Sequence, residues 1–104
     1  MLTRVWRGRA KKEVADCYED FLRRTAYPDY GSISGNQGWL LLRRDISNDV
    51  EFVLISFWES EAALQRYAGP DTEKPHYYDE DRAALLDPLL PAENFVTIDA
   101  RVRW

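Results

Sequence analysis

The chain carries one histidine, His76, beside Tyr77 and Tyr78 in the segment from Pro70 to Asp79. An imidazole with an ordinary pKa of about 6.5 takes up a proton near neutrality, so His76 is the natural candidate for a general base, with two phenols beside it as hydrogen-bond partners. Tyr67 can donate to a phenolate oxygen, and Trp58 can stack on an aromatic ring. Arg43 and Arg44 leave their strand on opposite faces, so one of them can point inward and stabilise an anion. Each of these residues also has a plainer role. His76 fits an exposed loop, Trp58 the packed end of a buried strand, Tyr67 a helix aromatic with its hydroxyl at the edge, and the two arginines a solvated strand edge.

Other chemistries lack their parts. There is no glycine-rich phosphate loop between a strand and a helix, no Gly-x-Ser-x-Gly elbow and no second histidine to build a metal site. The single cysteine, Cys17, permits neither an internal disulfide nor a cysteine cluster, and its place on the apolar face of a helix marks it as a small buried hydrophobe. Glu59 and Glu61, two apart at a helix start, are better explained by capping than by acid–base work. A net charge of −4 and a pI near 4.9 argue against a nucleic-acid partner. With 31% charged residues and no long apolar stretch, a membrane span is not expected. Arg4, Arg7 and Arg9 occupy the place where an export signal would need its apolar segment, which makes the cytoplasm the expected location. A length of 104 residues implies one domain, 1–104.

The elements that must position these groups follow from periodicity. Leu2 to Arg9 reads as a first strand. Val14, Cys17, Tyr18, Phe21, Leu22 and Thr25 recur at helical spacing from about Lys11 to Tyr27, where Pro28 ends the helix. Two turn-rich stretches, Pro28 to Ser32 and Gly35 to Gly38, lead to a strand from Trp39 to Arg44, and Ser47-Asn48-Asp49 joins it as a hairpin to Val50 through Trp58. That last strand is apolar at nearly every position, as a strand covered on both faces must be. Ser60 caps a second helix, which Gly69-Pro70 stops. Asp79 starts a short further helix containing Ala83 to Leu86, closed by Asp87-Pro88. Phe95 to Trp104 alternates as a final strand, with Val96, Ile98, Ala100, Val102 and Trp104 on one side.

Strand, helix, strand, strand, helix, strand is the α+β, ferredoxin-like βαββαβ order, with a four-stranded antiparallel sheet and both main helices on one face. The other face would carry Val5, Leu40, Leu42, Val53, Ile55, Phe57, Val96, Ile98 and Val102. That is more apolar surface than a monomer leaves in water, so a homodimer through the open sheet face is expected.

This order, together with Thr3-Arg4-Val5-Trp6-Arg7-Gly8, Gly35-Asn36-Gln37-Gly38 and Trp58-Glu59-Ser60-Glu61-Ala62-Ala63, resembles the antibiotic biosynthesis monooxygenase family of dimeric α/β barrels over nearly the whole chain. The resemblance implies a pocket between sheet and helices, and an oxidation of a small electron-rich aromatic, phenol or hydroquinone to quinone, by oxygen without metal or flavin. Cofactors would then be none. Trp58 matches the family's tryptophan at the end of the third strand. Leu54 and Leu64 stand where the quinone-forming enzymes have an asparagine and a tyrosine. The expected site takes Trp58 from the resemblance and, from side-chain chemistry, His76 as base and Tyr67 as hydrogen-bond donor, with Leu54, Ser56 and Leu64 completing the substrate-binding wall. The apolar Leu54 and Leu64 also fit a non-catalytic dimeric module that binds a small hydrophobic ligand. The haem-degrading branch is a further alternative, but only His76, after a one-residue shift, matches its pattern. Tyr67 replaces its tryptophan, and the first strand has no asparagine.

Overall fold

The structure, a computed structural model, describes residues 1–74, 79–86 and 91–103, with backbone alone for Tyr27, Asp29, Asp79 and Arg82. His76 therefore lies outside the described residues, as do Tyr77, Tyr78, Asp87, Pro88 and Trp104.

Strand β1 (Leu2–Lys11) leads into α1 (Lys12–Ala26); β2 (Asn36–Ile46) and β3 (Asp49–Trp58) form a hairpin; α2 (Glu61–Ala68) and α3 (Asp79–Ala84) precede β4 (Glu93–Val96). The sheet order is β2-β3-β1-β4, with antiparallel neighbours throughout. This is the ferredoxin-like α+β arrangement read from the sequence. In the hairpin, Ile46 pairs with Asp49, and Ser47 between them takes a left-handed φ of 54°, the local twist that a two-residue loop requires.

Burial alternates along β3, with Val50, Phe52, Leu54, Ser56 and Trp58 buried under the helices and Val53, Ile55 and Phe57 on the open face. Cross-strand partners share a face, so Arg4, Trp6 and Ala10 of β1 join the covered side, as do Trp39, Leu41 and Arg43 of β2. The phase of β2 depends on a bulge: the register slips between Asn36 and Gly38, where Gly38 has a φ of 123° and its N–H is taken by the Asn36 side chain at 3.0 Å. On β1, Gly8 makes room for a ring. A Cβ there would stand 2.5 Å from Cη2 of Trp6.

Ser60 caps α2 by accepting from the Ala63 N–H at 3.2 Å, and Gly69, at a φ of 80°, ends the helix by donating to the Gln65 carbonyl. Pro28 does not end the first helical segment outright. Without an N–H of its own, it sits in a wider turn, Tyr27–Gly31, of the π type, which carries Tyr30 inward to 3% exposure.

Three expectations are corrected. Cys17 is exposed, because the buried stripe of α1 runs through Ala15, Tyr18, Phe21, Leu22 and Ala26 and leaves Val14 and Cys17 on its flank. The last strand is Glu93–Val96 and does not run on through residue 103; Ile98 is 96% exposed. Its phase is also the opposite of that expected. Val96 pairs with Leu2 and Phe95 with Thr3, so Phe95 rather than Val96 belongs to the open face.

Candidate functional site

Between the covered sheet face and the helices lies a narrow cleft. Its floor is Arg4, Trp6 and Leu54; α1 contributes Phe21, Leu22, Thr25 and Ala26; Tyr30, Tyr67 and Asp81 close it from the π turn, α2 and α3. The cavity volume is about 30 Å³, room for one or two waters, so a ring enters only by moving a wall.

One wall is a cluster of rings. Tyr67 stacks on Trp58 at 5.6 Å between centroids, and Tyr30 packs against Tyr67 at 4.8 Å and against Trp58 and Trp39 at 5.9 Å each. Trp58 is fully buried and its indole N–H donates to Ser56 Oγ at 2.9 Å, so a polar atom in an apolar layer is satisfied by its strand neighbour. Of the residues expected at the site, Tyr67 and Leu54 reach the cleft. Trp58, Ser56 and Leu64 form the buried layer behind Tyr67.

Arg43 does not point into the cleft. Its guanidinium is held by Asp16 at 2.8 Å and Glu19 at 3.0 Å on α1, hydrogen bonds that keep it above its ordinary pKa. Arg44 pairs with Glu51 on the open face.

Two charged residues of the cleft went unread in the sequence. Arg4 is 1% exposed, its guanidinium carbon 5.5 Å from the Tyr67 ring centroid. Asp81 is 5% exposed and accepts a hydrogen bond from the Tyr18 hydroxyl. A signal for Arg4 existed: it is in phase with Trp6, Gly8 and Ala10, whereas the other face of β1 carries Arg7, Arg9 and Lys11. Tyr30 was hidden in what looked like plain turn chemistry. Among the described residues, no group of three His, Cys, Asp or Glu is placed to hold a metal ion, and no helix is long and apolar enough to cross a membrane.

The ferredoxin-like sheet roofed by helices is a fold that this chain shares with solved structures, among them one described as a putative antibiotic biosynthesis monooxygenase from Bacillus cereus. The solved structures similar to this chain include the NE2512 protein of unknown function from Nitrosomonas europaea (21% identity, 99% of this chain and 94% of that one, TM-score 0.72). They also include the haem degrader MhuD from Mycobacterium tuberculosis (15%, 98% and 100%, TM-score 0.65) and SnoaB, a cofactor-independent oxygenase from Streptomyces nogalater (18%, 95% and 94%, TM-score 0.61). No family model and no curated protein sequence matches the chain.

Proposed function

We propose that this chain is a monooxygenase that oxidises a small electron-rich aromatic, of the phenol or hydroquinone type, with oxygen and no added cofactor. The observation that carries this reading is the cleft itself: with Tyr67 and Tyr30 at its side and Trp6 and Leu54 on its floor, it offers aromatic and apolar contacts to a flat ring once Tyr67 moves. Similarity in fold to SnoaB supports the same class of reaction. Such chemistry needs the substrate deprotonated so that it can give an electron to oxygen, and an environment that stabilises the anion. His76 is the proposed base. Tyr67 is the proposed donor to the substrate oxygen, Leu54 lies against the ring, and Trp58, Ser56 and Leu64 hold Tyr67 in place from behind. Entry of the ring requires Tyr67 to swing outward; it is only partly buried and stands two residues before Gly69, where α2 ends.

Haem fits this cleft poorly. A cleft of about 30 Å³ would have to open far wider for a macrocycle than for a single ring.

The protein is further proposed to act as a homodimer through its open sheet face. Its accessible surface is 6816 Å², against about 6,100 Å² for a monomer of this mass. Leu42 and Phe95, 45% and 50% exposed, lie on the face that carries Val53, Ile55 and Phe57.

The test is oxygen consumption by metal-free, flavin-free protein with a panel of hydroquinones and polycyclic phenols. Turnover that falls in both His76→Ala and Tyr67→Phe supports the assignment, and turnover retained in His76→Ala removes the base while keeping the reaction class. No uptake with any substrate, together with ligand-induced stabilisation, would make the chain a binding module instead.

A further inference from the structure

A guanidinium stays protonated in proteins, and burying one is costly unless a counter-charge or a full set of acceptors surrounds it. Arg4 has neither. It is 1% exposed, its Nε has no hydrogen-bond partner, and its Nη2 reaches only the Lys74 carbonyl, at 3.5 Å. Tyr67 offers the face of its ring, which attracts a cation without satisfying an N–H. Among the described residues no carboxylate forms an ion pair with Arg4; Asp81, the acid of the same cleft, accepts from Tyr18.

The neighbours of Arg4 do not complete it. Ser56, its partner on β3, has its hydroxyl engaged by Trp58, and Asn94, its partner on β4, has an Oδ1 that is also buried without a partner. Arg43, on the same sheet face, shows the ordinary arrangement, with two acids on its guanidinium. The exception therefore lies where the cleft is.

We propose that Arg4 reads an anionic group on the ligand, and that the aromatic bound in this cleft carries a carboxylate. The inference rests on the reading of the cleft as the ligand site and adds the substrate's charge. A carboxylate suits the guanidinium fork and lies coplanar with a ring, as a narrow slot requires. A phosphate also pairs with the fork, but its tetrahedral oxygens cannot all lie in the plane of a ring. The carboxylate would supply the counter-charge that Arg4 lacks, and the ring would lie against Tyr67 and Leu54.

The experiment measures binding of 2-naphthoate and of its neutral analogue 2-naphthamide to the protein by calorimetry, without turnover. The wild type is expected to bind the naphthoate at least ten-fold more tightly than the amide. Arg4→Met should fold, since it removes an unpaired buried charge, and should bind the two equally. Arg4→Lys, which keeps the charge and loses the fork, should show a smaller preference than the wild type. Equal binding of the two ligands by the wild type, binding of neither, or a preference that survives in Arg4→Met would overturn the proposal. So would an undiminished preference in Arg4→Lys, even if Arg4→Met did not fold. Failure of the oxygenase reading looks different: naphthoate preference without oxygen uptake on any hydroquinone would leave the anion site standing.

Discussion

Replacing Gly35 by alanine should destabilise this protein far more than the same change at Gly69, although both glycines have positive φ. Gly69, at 80°, has open space where a Cβ would project, so alanine there meets only backbone strain, about 1–3 kcal/mol. Gly35, at 93°, carries the same kind of strain, and its Cβ would come within 2.4 Å of the Ala63 Cβ. That neighbour cannot rotate away. It is one atom long and belongs to the body of α2, so relief requires the helix to shift, at an overpacking cost of about a further 1–3 kcal/mol. The sum, about 2–6 kcal/mol, is a large part of the 5–15 kcal/mol that a domain of this size usually has. Urea unfolding followed by tryptophan fluorescence should place Gly35→Ala below Gly69→Ala by at least about 1 kcal/mol at equal m. The contact also has a functional side, because the Glu59 N–H donates to the Gly35 carbonyl at 2.8 Å and the helix it docks carries Leu64 and Tyr67. If the two variants melt together, α2 does not rest on Gly35, and the placement of Tyr67 loses its support.

Ser56→Ala should cost about 1–3 kcal/mol by orphaning the buried Trp58 N–H, and the same change should be close to neutral in a Trp58→Phe background, a coupling that a double-mutant cycle reads directly. Light scattering should give twice the chain mass of 12.2 kDa at micromolar concentration, and Ile55→Lys, which places a charge in the middle of the open face, should give the monomer. A wild-type monomer would sink the interface.

The architecture was legible because period-two burial in β3 and period-3.6 burial in α1 are strong, and because Ser60 and Gly69 punctuate the chain where a helix must begin and end. What escaped was set by phase and by distance. Cys17 and Tyr18 are adjacent, and which of them the core takes depends on how α1 rolls on the sheet, a tertiary choice that periodicity leaves open. Val96 and Phe95 exchange faces through a one-residue register step, decided by pairing with Leu2 and Thr3 at the far end of the chain. Tyr30 comes inward only because the turn around Pro28 widens instead of breaking.

The same limit explains the cleft. Arg4 and Arg43 are both arginines on the covered face of one sheet, and nothing local distinguishes them. Arg43 lies against the side of α1 that presents Asp16 and Glu19, so its charge is answered by the fold. Arg4 stands two strands further on and deeper, where its Nη2 reaches only a distant carbonyl and its strand partners offer an engaged hydroxyl and an amide that is itself incompletely paired. A fold optimised for stability alone would place a methionine or leucine there, since an apolar residue of that volume removes the desolvation cost without losing an ion pair. Arg4→Met raising the melting temperature while abolishing discrimination for a carboxylate would show that the charge is kept at the expense of stability, for the sake of what enters the cleft.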